Sequence, residues 1–295
     1  MIDSKNQFGD VIRSSGLVPP EIIEREKFLR FPGLGKRSSN TAGWCWLSSD
    51  GLAGFFGDFS SGLSERWHKQ RQKSSRTSEK VVSNHRFCGN RRQVEKERKT
   101  KHVIAAARAA SIWKSATAPP NDYPYLIRKG VTANSARFKR GSLVLAVKDF
   151  TDELTSLQFI QPDGTKLLLK GGRKKGCFIH VTGDIERPSR VVICEGWATG
   201  CTLGEDDPKA VVLSAVDSGN LKAVALSARC RWPSVELIVA GDDDRLTAGN
   251  PGRSKAQAAA IAANALLALP QWPEGVPETL TDFNDLSLWL ARGAV

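Results

Sequence analysis

Three short apolar runs in the second half of the chain each end in polar residues. They cover residues 191–194, 211–216 and 235–240. Segments of helical character lie between and after them, at 198–205, 221–228 and 254–269. Short β-branched runs that alternate with helices are typical of βαβ units, so the pattern predicts a parallel sheet buried on both faces.

Acidic residues follow the first and third of these runs. Glu195 comes directly after 191–194, and Asp242 and Asp244 come just after 235–240. In a parallel sheet these positions share the carboxyl edge, where chemistry gathers. Carboxylates there repel one another unless a divalent cation lies between them, and Mg²⁺ favours carboxylates together with water and phosphate oxygens. A single acidic residue after a strand usually belongs to a turn or caps a helix. The placement of all three at one sheet edge predicts a metal site.

The first part of the chain predicts a small antiparallel sheet. Modest helical patterns over 3–15 and 20–29 are separated by Gly16 and by Pro19-Pro20. Between 43 and 67, short aromatic runs alternate with Asp-Gly and Ser-Gly turns, which is typical of a β-meander. The aromatic side chains of a meander most often form its core, although an exposed one can stack on an unpaired base.

The stretch from 66 to 108 is the most basic part of the chain, with 14 Lys and Arg against 3 Glu. Ser and Thr interrupt its first half, which indicates a mobile linker, and its second half runs into a predicted helix over 103–116. An ordinary solvated linker is the alternative. The excess of positive charge favours contact with nucleic acid, without sequence specificity.

Composition narrows the class of protein further. The formal charge of +12 indicates an anionic partner, and nucleic acid fits better than a membrane. The N-terminus lacks the layout of a signal peptide, and no apolar run approaches the roughly 20 residues that span a bilayer, so we expect a cytoplasmic protein. The 6 cysteines include no C-x-x-C pair, which argues against a zinc ribbon and against a disulfide framework.

Residues 118–188 predict a second antiparallel sheet. Its strands are expected at 143–147, 154–160, 165–170 and 177–181. Basic residues lie on and beside these strands, at Lys166, Lys170, Arg173, Lys174 and Lys175. Together they predict a cationic surface that a phosphodiester chain can approach closely at Gly171-Gly172. A flexible surface hairpin is the alternative.

Several of these motifs resemble one family. Glu195, the Asp242-x-Asp244 pair and Asp282-Phe283-Asn284-Asp285 are similar to the Toprim signature. Tyr125-Leu126-Ile127-Arg128-Lys129-Gly130 and the Lys166–Gly172 stretch resemble segments that precede the Toprim sheet in the catalytic core of bacterial-type replicative primases. The similarity is greatest to Toprim primases of plasmids and phages, and it covers residues 116–293.

The resemblance implies synthesis of short RNA primers on a single-stranded DNA template from ribonucleoside triphosphates, with Mg²⁺ or Mn²⁺. Asp242 and Asp244 would hold the metal, and Asp282 or Asp285 would support a second ion or the triphosphate. Glu195 would act as general acid/base or as a further ligand. The template or the triphosphate would be held by basic residues, namely Arg128, Lys166, Lys170, Arg173, Lys174 and Lys175. The chain carries no Walker-type motif, so we expect a separate replicative helicase as partner, and no membrane.

The predicted fold class is α/β, with a Toprim parallel sheet flanked by helices, a small antiparallel subdomain before it and an N-terminal β-meander. The predicted divisions are 1–67, 68–117, 118–188 and 189–295. A Toprim nuclease and a non-catalytic single-stranded-DNA-binding protein remain alternatives, since the former uses the same carboxylates. A topoisomerase is disfavoured because the only tyrosines, Tyr123 and Tyr125, precede the sheet.

Overall fold

The computed structural model describes residues 4–69 and 79–293. The chain forms two compact units, residues 1–85 and 86–295. The helices are α1 Ser4–Ser14, α2 Glu79–Lys114, α3 Pro124–Lys129, α4 Trp197–Asp206, α5 Leu221–Arg231, α6 Pro251–Ala263 and α7 Phe283–Gly293. The finer division into four parts stays a prediction.

The first unit contains an antiparallel sheet in the order β1-β2-β3-β4. Its strands are β1 Leu29–Phe31, β2 Gly43–Leu47, β3 Ala53–Asp58 and β4 Leu63–His68. The predicted meander is thereby confirmed. Helix α1 covers one face of the sheet, where the ring of Phe8 packs against those of Phe56 and Trp67, with centroids 6.0 and 5.2 Å away.

The helix predicted over 20–29 is wrong. Residues 20–28 form turns and an isolated bridge between Arg25 and Leu47, and β1 then pairs with β2. The Glu26 N–H donates to the Leu47 carbonyl at 2.7 Å, and Glu26 has a left-handed φ of 58°. A helix requires right-handed backbone, so this pairing along the edge of the meander overrides the modest helical pattern.

The stretch predicted as a mobile linker is only partly described. Residues 70–78 lie outside the described part, and α2 begins at Glu79 and continues to Lys114. The predicted helix over 103–116 is thus the end of a much longer one. Its Ala-rich last part packs Ala109 against Val144, Leu157 and Leu169 of the second unit.

After α2 and α3, the second unit contains a four-stranded antiparallel sheet in the order β5-β6-β7-β8. Its strands are β5 Arg137–Lys139, β6 Ser142–Lys148, β7 Leu154–Ile160 and β8 Lys166–Leu168. The predicted strands at 143–147 and 154–160 are confirmed. The strand predicted at 177–181 lies elsewhere, because β9 (Ile179–Thr182) pairs antiparallel with a strand of the next sheet.

The five-stranded sheet has the order β13-β12-β10-β11-β9. Its further strands are β10 Arg190–Cys194, β11 Val211–Ser214, β12 Glu236–Ala240 and β13 Leu266–Ala268. The four strands β10 to β13 run parallel, as predicted for the first three of them. The prediction of one helix over 254–269 is wrong at its end, because α6 stops at Ala263 and β13 follows. Asn264, with a left-handed φ of 48°, ends the helix.

The parallel sheet is buried on both faces, as the continuous apolar runs predicted. Ile193 and Val239 pack against α5 and α6 on one side. Val192 and Cys194 pack on the other side, where α4 and the strand β6 share one core with them. The expected α/β class with mixed N-terminal parts is confirmed. None of the helices in the described residues is both long and apolar enough to cross a membrane.

Candidate active site at the edge of the parallel sheet

The carboxyl ends of the central strands lie level with one another. Cys194, the last residue of β10, is in register with Ser214 of β11 and with Ala240 of β12. Glu195 follows at once, and Gly196 then forms the N-cap of α4. A Cβ atom on Gly196 would lie 3.7 Å from Nζ of Lys166, so the ammonium group of β8 reaches this edge.

Asp242 and Asp244 lie on the loop between β12 and α6. Oδ2 of Asp244 accepts a hydrogen bond of 2.8 Å from the backbone N–H of Gly252, in the first turn of α6. The positive end of the helix dipole favours a negative charge there. Side-chain Oδ1 of Asn250 accepts from the Asp244 N–H at 2.9 Å. The loop is thereby tied to the helix that follows it.

Asp282 is placed by the start of α7. Its Oδ1 accepts from the backbone N–H of Asp285 at 2.8 Å, which is the usual bond of an N-cap. Its Oδ2 accepts from the hydroxyl of Thr199 on α4 at 3.1 Å. The carboxylate is therefore held between two helices whose amino ends meet at the sheet edge.

These carboxylates are close enough to perturb one another. Burial raises the pKa of Asp242 from 3.8 to about 8, and the negative charges of Glu195, Asp282 and Asp244 add to that rise. Burial also raises the pKa of Glu195, with contributions from Asp217 and Asp244. Oδ1 of Asp242 is buried without a hydrogen-bond partner. An orphaned carboxylate oxygen among like charges is the arrangement that a cation stabilises.

The donor set fits a hard divalent ion such as Mg²⁺. Within the described residues, no three side chains of His, Cys, Asp or Glu form a ready-made ligand cluster. Mg²⁺ does not require one, because it is usually bound through one or two carboxylates, with water and substrate phosphates completing its shell. Asp242, through its orphaned oxygen, and its neighbour Asp244 are the residues that would hold such an ion.

Positive charge comes to this edge from three lysines. Lys166 acts on Asp242 and Lys255 acts on Glu195, each lowering the pKa of that carboxyl against the effect of burial. Lys255 also donates to the hydroxyl of Ser218 at 3.1 Å. Lys174 forms an ion pair with Asp217, which follows β11.

The basic loop that carries Lys174 is tied to the sheet by a buried side chain. The amide of Asn220 donates to the carbonyl oxygens of Lys174, Cys177 and Ala215 at 3.0, 2.9 and 2.9 Å. Its Oδ1 accepts from the Gly176 N–H at 2.9 Å. Asn220 therefore fixes this loop beside the carboxyl end of β11.

Other predicted site residues lie in different surroundings. Arg173 pairs with Asp149, and Arg128 donates to the Pro162 carbonyl at 3.0 Å while its guanidinium lies over the ring of Tyr125. Lys170 and Lys175 are exposed. Asp285 pairs with Lys129 of α3 at 3.2 Å and accepts from the Thr281 N–H at 3.2 Å.

Sequence reasoning did not single out Thr199, Asn220 or Lys255. Each lies near a feature that the sequence does indicate. Thr199 comes four residues after Glu195, Asn220 ends the polar run after β11, and Lys255 lies in the predicted helix over 254–269. Polar residues that follow buried strands were the available signal. The sequence contains no such signal for Lys255, because a lysine on an Ala-rich helix is ordinarily exposed to solvent.

The comparison with known families decides the identity of this region. Residues 190–294 match the family model described as the Toprim domain. The chain carries a Toprim domain. The predicted signature of Glu195, Asp242 and Asp244 lies within it, at the carboxyl edge of its parallel sheet.

Two relatives that match this chain are named as primases. A DNA primase TraC of Escherichia coli is 29% identical over 290 residues, covering 93% of this chain. A second DNA primase TraC of the same species is 40% identical over 148 residues, covering 47% of the chain. The chain spans 27% and 10% of the length of these two proteins. The predicted resemblance to Toprim DNA primases is thereby confirmed.

Among solved structures, the primase fragment of the bacteriophage T7 primase-helicase protein is 13% identical to this chain. The match covers 90% of this chain and 97% of the fragment, with a TM-score of 0.41.

Proposed function

We propose that this protein is a primase, which makes short RNA primers on single-stranded DNA from ribonucleoside triphosphates, with Mg²⁺ or Mn²⁺ bound at the Toprim domain. The observation that carries the proposal is the convergence of Glu195, Asp244 and Asp282 on Asp242, whose pKa rises to about 8. Relatives named DNA primase support it.

The reaction places few demands on protein side chains. The 3′-hydroxyl oxygen of the growing primer attacks the α-phosphorus of the incoming nucleotide, the bond to the bridging oxygen of the β-phosphate breaks, and pyrophosphate leaves. A divalent ion bound here would supply charge neutralisation at the phosphates and would polarise the hydroxyl. Asp242 and Asp244 would hold that ion, and Asp282 or Asp285 would support a second ion or the triphosphate.

Glu195 is proposed to take the proton that the attacking hydroxyl loses. Its raised pKa suits proton exchange nearer neutral pH than an ordinary carboxyl allows. The alternative is that Glu195 serves as a further metal ligand. A Gln at this position keeps the shape and removes the basicity, so Glu195→Gln tests both roles.

The basic residues around the edge are proposed to hold phosphates. Lys166, whose ammonium group reaches Gly196, is the best placed for the triphosphate. Lys170, Arg173, Lys174, Lys175 and Arg128 would bind the template strand. A separate replicative helicase would supply unwinding.

Primer synthesis on circular single-stranded DNA tests the proposal. The wild-type protein should convert labelled ribonucleotides into short products in the presence of Mg²⁺, and Asp242→Asn and Glu195→Gln should reduce this by about a hundredfold or more, as expected for loss of a metal ligand or general base. Asp206→Asn, at the exposed far end of α4, is the matched control and should retain activity.

The length of the products separates the main alternatives. Shortened DNA fragments in place of primers would indicate a Toprim nuclease. Full primer synthesis by Asp242→Asn would overturn the site itself. Binding of single-stranded DNA without either kind of product from the wild type would indicate a non-catalytic DNA-binding protein.

A further inference from the structure

The sheet of the first unit has two faces of different character. Successive residues of a strand point to opposite faces, and the cross-strand register shows which residues share one. Cys45 is paired with Leu29 and Phe56, and this face is the one that α1 covers. Trp44 is paired with Arg30 and Gly57, on the opposite face.

That opposite face carries rings and guanidinium groups in adjacent rows. Trp46 is paired with Phe55, and Phe55 with Arg66. We call this surface the aromatic face. Its members are Arg30, Trp44, Trp46, Phe55, Phe59 and Arg66.

The rings of the aromatic face are ordered by contacts with one another. The ring of Trp44 lies 5.7 Å from that of Phe59, and that of Trp46 lies 6.1 Å from that of Phe55. Phe28 stacks on Trp44 at an interplanar angle of 14°. Phe28 and Phe59 are 52% and 62% exposed, which is unusual for residues with this much apolar surface.

The arginines are held over these rings. The guanidinium of Arg30 lies 4.8 Å from the centre of the Phe59 ring and donates to the carbonyl oxygen of Thr41 at 2.6 Å. That of Arg66 lies 5.9 Å from the centre of the Phe55 ring. The flat side of a guanidinium extends an aromatic platform and adds a charge that attracts phosphate.

Within the four strands, the acidic side chains lie on the other face. The carboxylates within β1 to β4 are Asp58 and Glu65, and both lie on the face of Cys45 and Phe56 by register. Gly57 leaves room for Trp44, because a Cβ atom there would come within 2.8 Å of the indole. The missing side chain at Gly57 therefore provides the space that the indole of Trp44 occupies beneath the stacked ring of Phe28.

We propose that the aromatic face binds single-stranded DNA by stacking unpaired bases on its rings. Aromatic rings recognise the faces of unpaired bases, and neighbouring arginines bind the phosphates between them. The face lies in the first unit, outside the Toprim domain. The proposal goes beyond primer synthesis and does not depend on it, because binding is measured without metal or nucleotide.

The test measures binding of a labelled oligothymidine of about 15 nucleotides to the full chain, by fluorescence anisotropy in EDTA at about 150 mM salt. Trp44→Leu and Phe55→Leu should each weaken binding about tenfold, since each removes a stacking platform. Leu52→Ala, in the exposed turn between β2 and β3, is the control and should bind as the wild type does.

Two further measurements keep the result clear if Trp44→Leu fails to fold. Arg66→Gln changes an exposed side chain and should weaken binding while leaving the thermal midpoint unchanged. Photo-crosslinking with 5-bromodeoxyuridine should give adducts in peptides covering 43–59.

Three results would overturn the proposal. The first is equal affinity of these variants and the wild type, with adducts confined to peptides from residues 95–293. The second is equally tight binding of duplex DNA, whose bases are not accessible for stacking. The third is tighter binding of oligouridine, which would assign the surface to RNA.

Discussion

The indole N–H of Trp272 donates a hydrogen bond of 2.9 Å to Oδ2 of Asp243. Asp243 lies between Asp242 and Asp244 in the sequence and is buried. Its Oδ1 accepts from the side-chain amide of Asn250 at 2.6 Å, and its N–H donates to the carbonyl of Thr281 at 2.7 Å. The middle carboxylate of the three thus holds the loop that presents the other two.

Trp272→Phe should therefore weaken both stability and primer synthesis. The substitution keeps most of the apolar surface but leaves a buried carboxylate oxygen without its donor, at a cost of about 1–3 kcal/mol. The free energy of unfolding in urea measures this loss. Trp289→Phe on α7 is the matched control, and an equal loss in both variants would contradict a specific role for the Trp272 indole.

Asp242 should make the metal-free protein less stable as the pH rises. Its folded-state pKa of about 8 lies above the usual value of 3.8, so the folded protein keeps a proton that the unfolded chain releases. The stabilisation is complete below the unfolded pKa and is lost as the pH rises through the folded one, with a slope of at most about 1.4 kcal/mol per pH unit.

Thermal unfolding in EDTA between about pH 5 and pH 9 checks this. The midpoint of the wild type should fall more steeply than that of Asp242→Asn. Mg²⁺ should raise the wild-type midpoint more at the upper end of the range, where the carboxylate is ionised. Parallel curves for the two proteins would show that Asp242 titrates normally.

The ion pair of Lys129 and Asp285 indicates a structural role for Asp285. It joins α3 to α7 at 3.2 Å, with the two side chains 25% and 23% exposed. We expect Asp285→Asn and Lys129→Met each to lower the free energy of unfolding by about 1 kcal/mol or less. The decrease in the double variant should be no larger than the decrease in one single variant, because either substitution alone already breaks the ion pair.

The Mg²⁺ concentration for half-maximal primer synthesis separates this role from metal binding. It should be unchanged in Asp285→Asn and raised in Asp282→Asn. An equal rise in both variants would favour the role in metal or triphosphate binding that the resemblance implied for Asp285.

The Toprim sheet could be predicted because its strands are continuous apolar runs. Runs such as 191–194 are buried on both faces, and the polar residue that follows each run marks its carboxyl end. Glu195 and Asp242 could be placed at one edge for that reason alone. The fourth parallel strand, β13, was missed because Leu266–Ala268 is short and continues the apolar character of the helix before it.

Side-chain hydrogen bonds over long sequence distances could not be predicted in this way. Asn220 contacts the carbonyls of Lys174 and Cys177, more than 40 residues away, and nothing in its own segment indicates that pairing. The partner of an edge strand is equally difficult to predict from the sequence. The register of β9 with β11 depends on how the chain returns after the antiparallel sheet, and the sequence around 177–181 is compatible with either partner.

The pairing of β9 with β11 makes residues before 189 part of the Toprim core. A fragment cut at the boundary that the sequence indicated would leave the outer backbone groups of β11 unpaired and open to the β-strands of other molecules. It would also expose the apolar side chains of α4 that Ile179 and Val181 cover. A fragment that keeps the whole five-stranded sheet should therefore begin before Ile179.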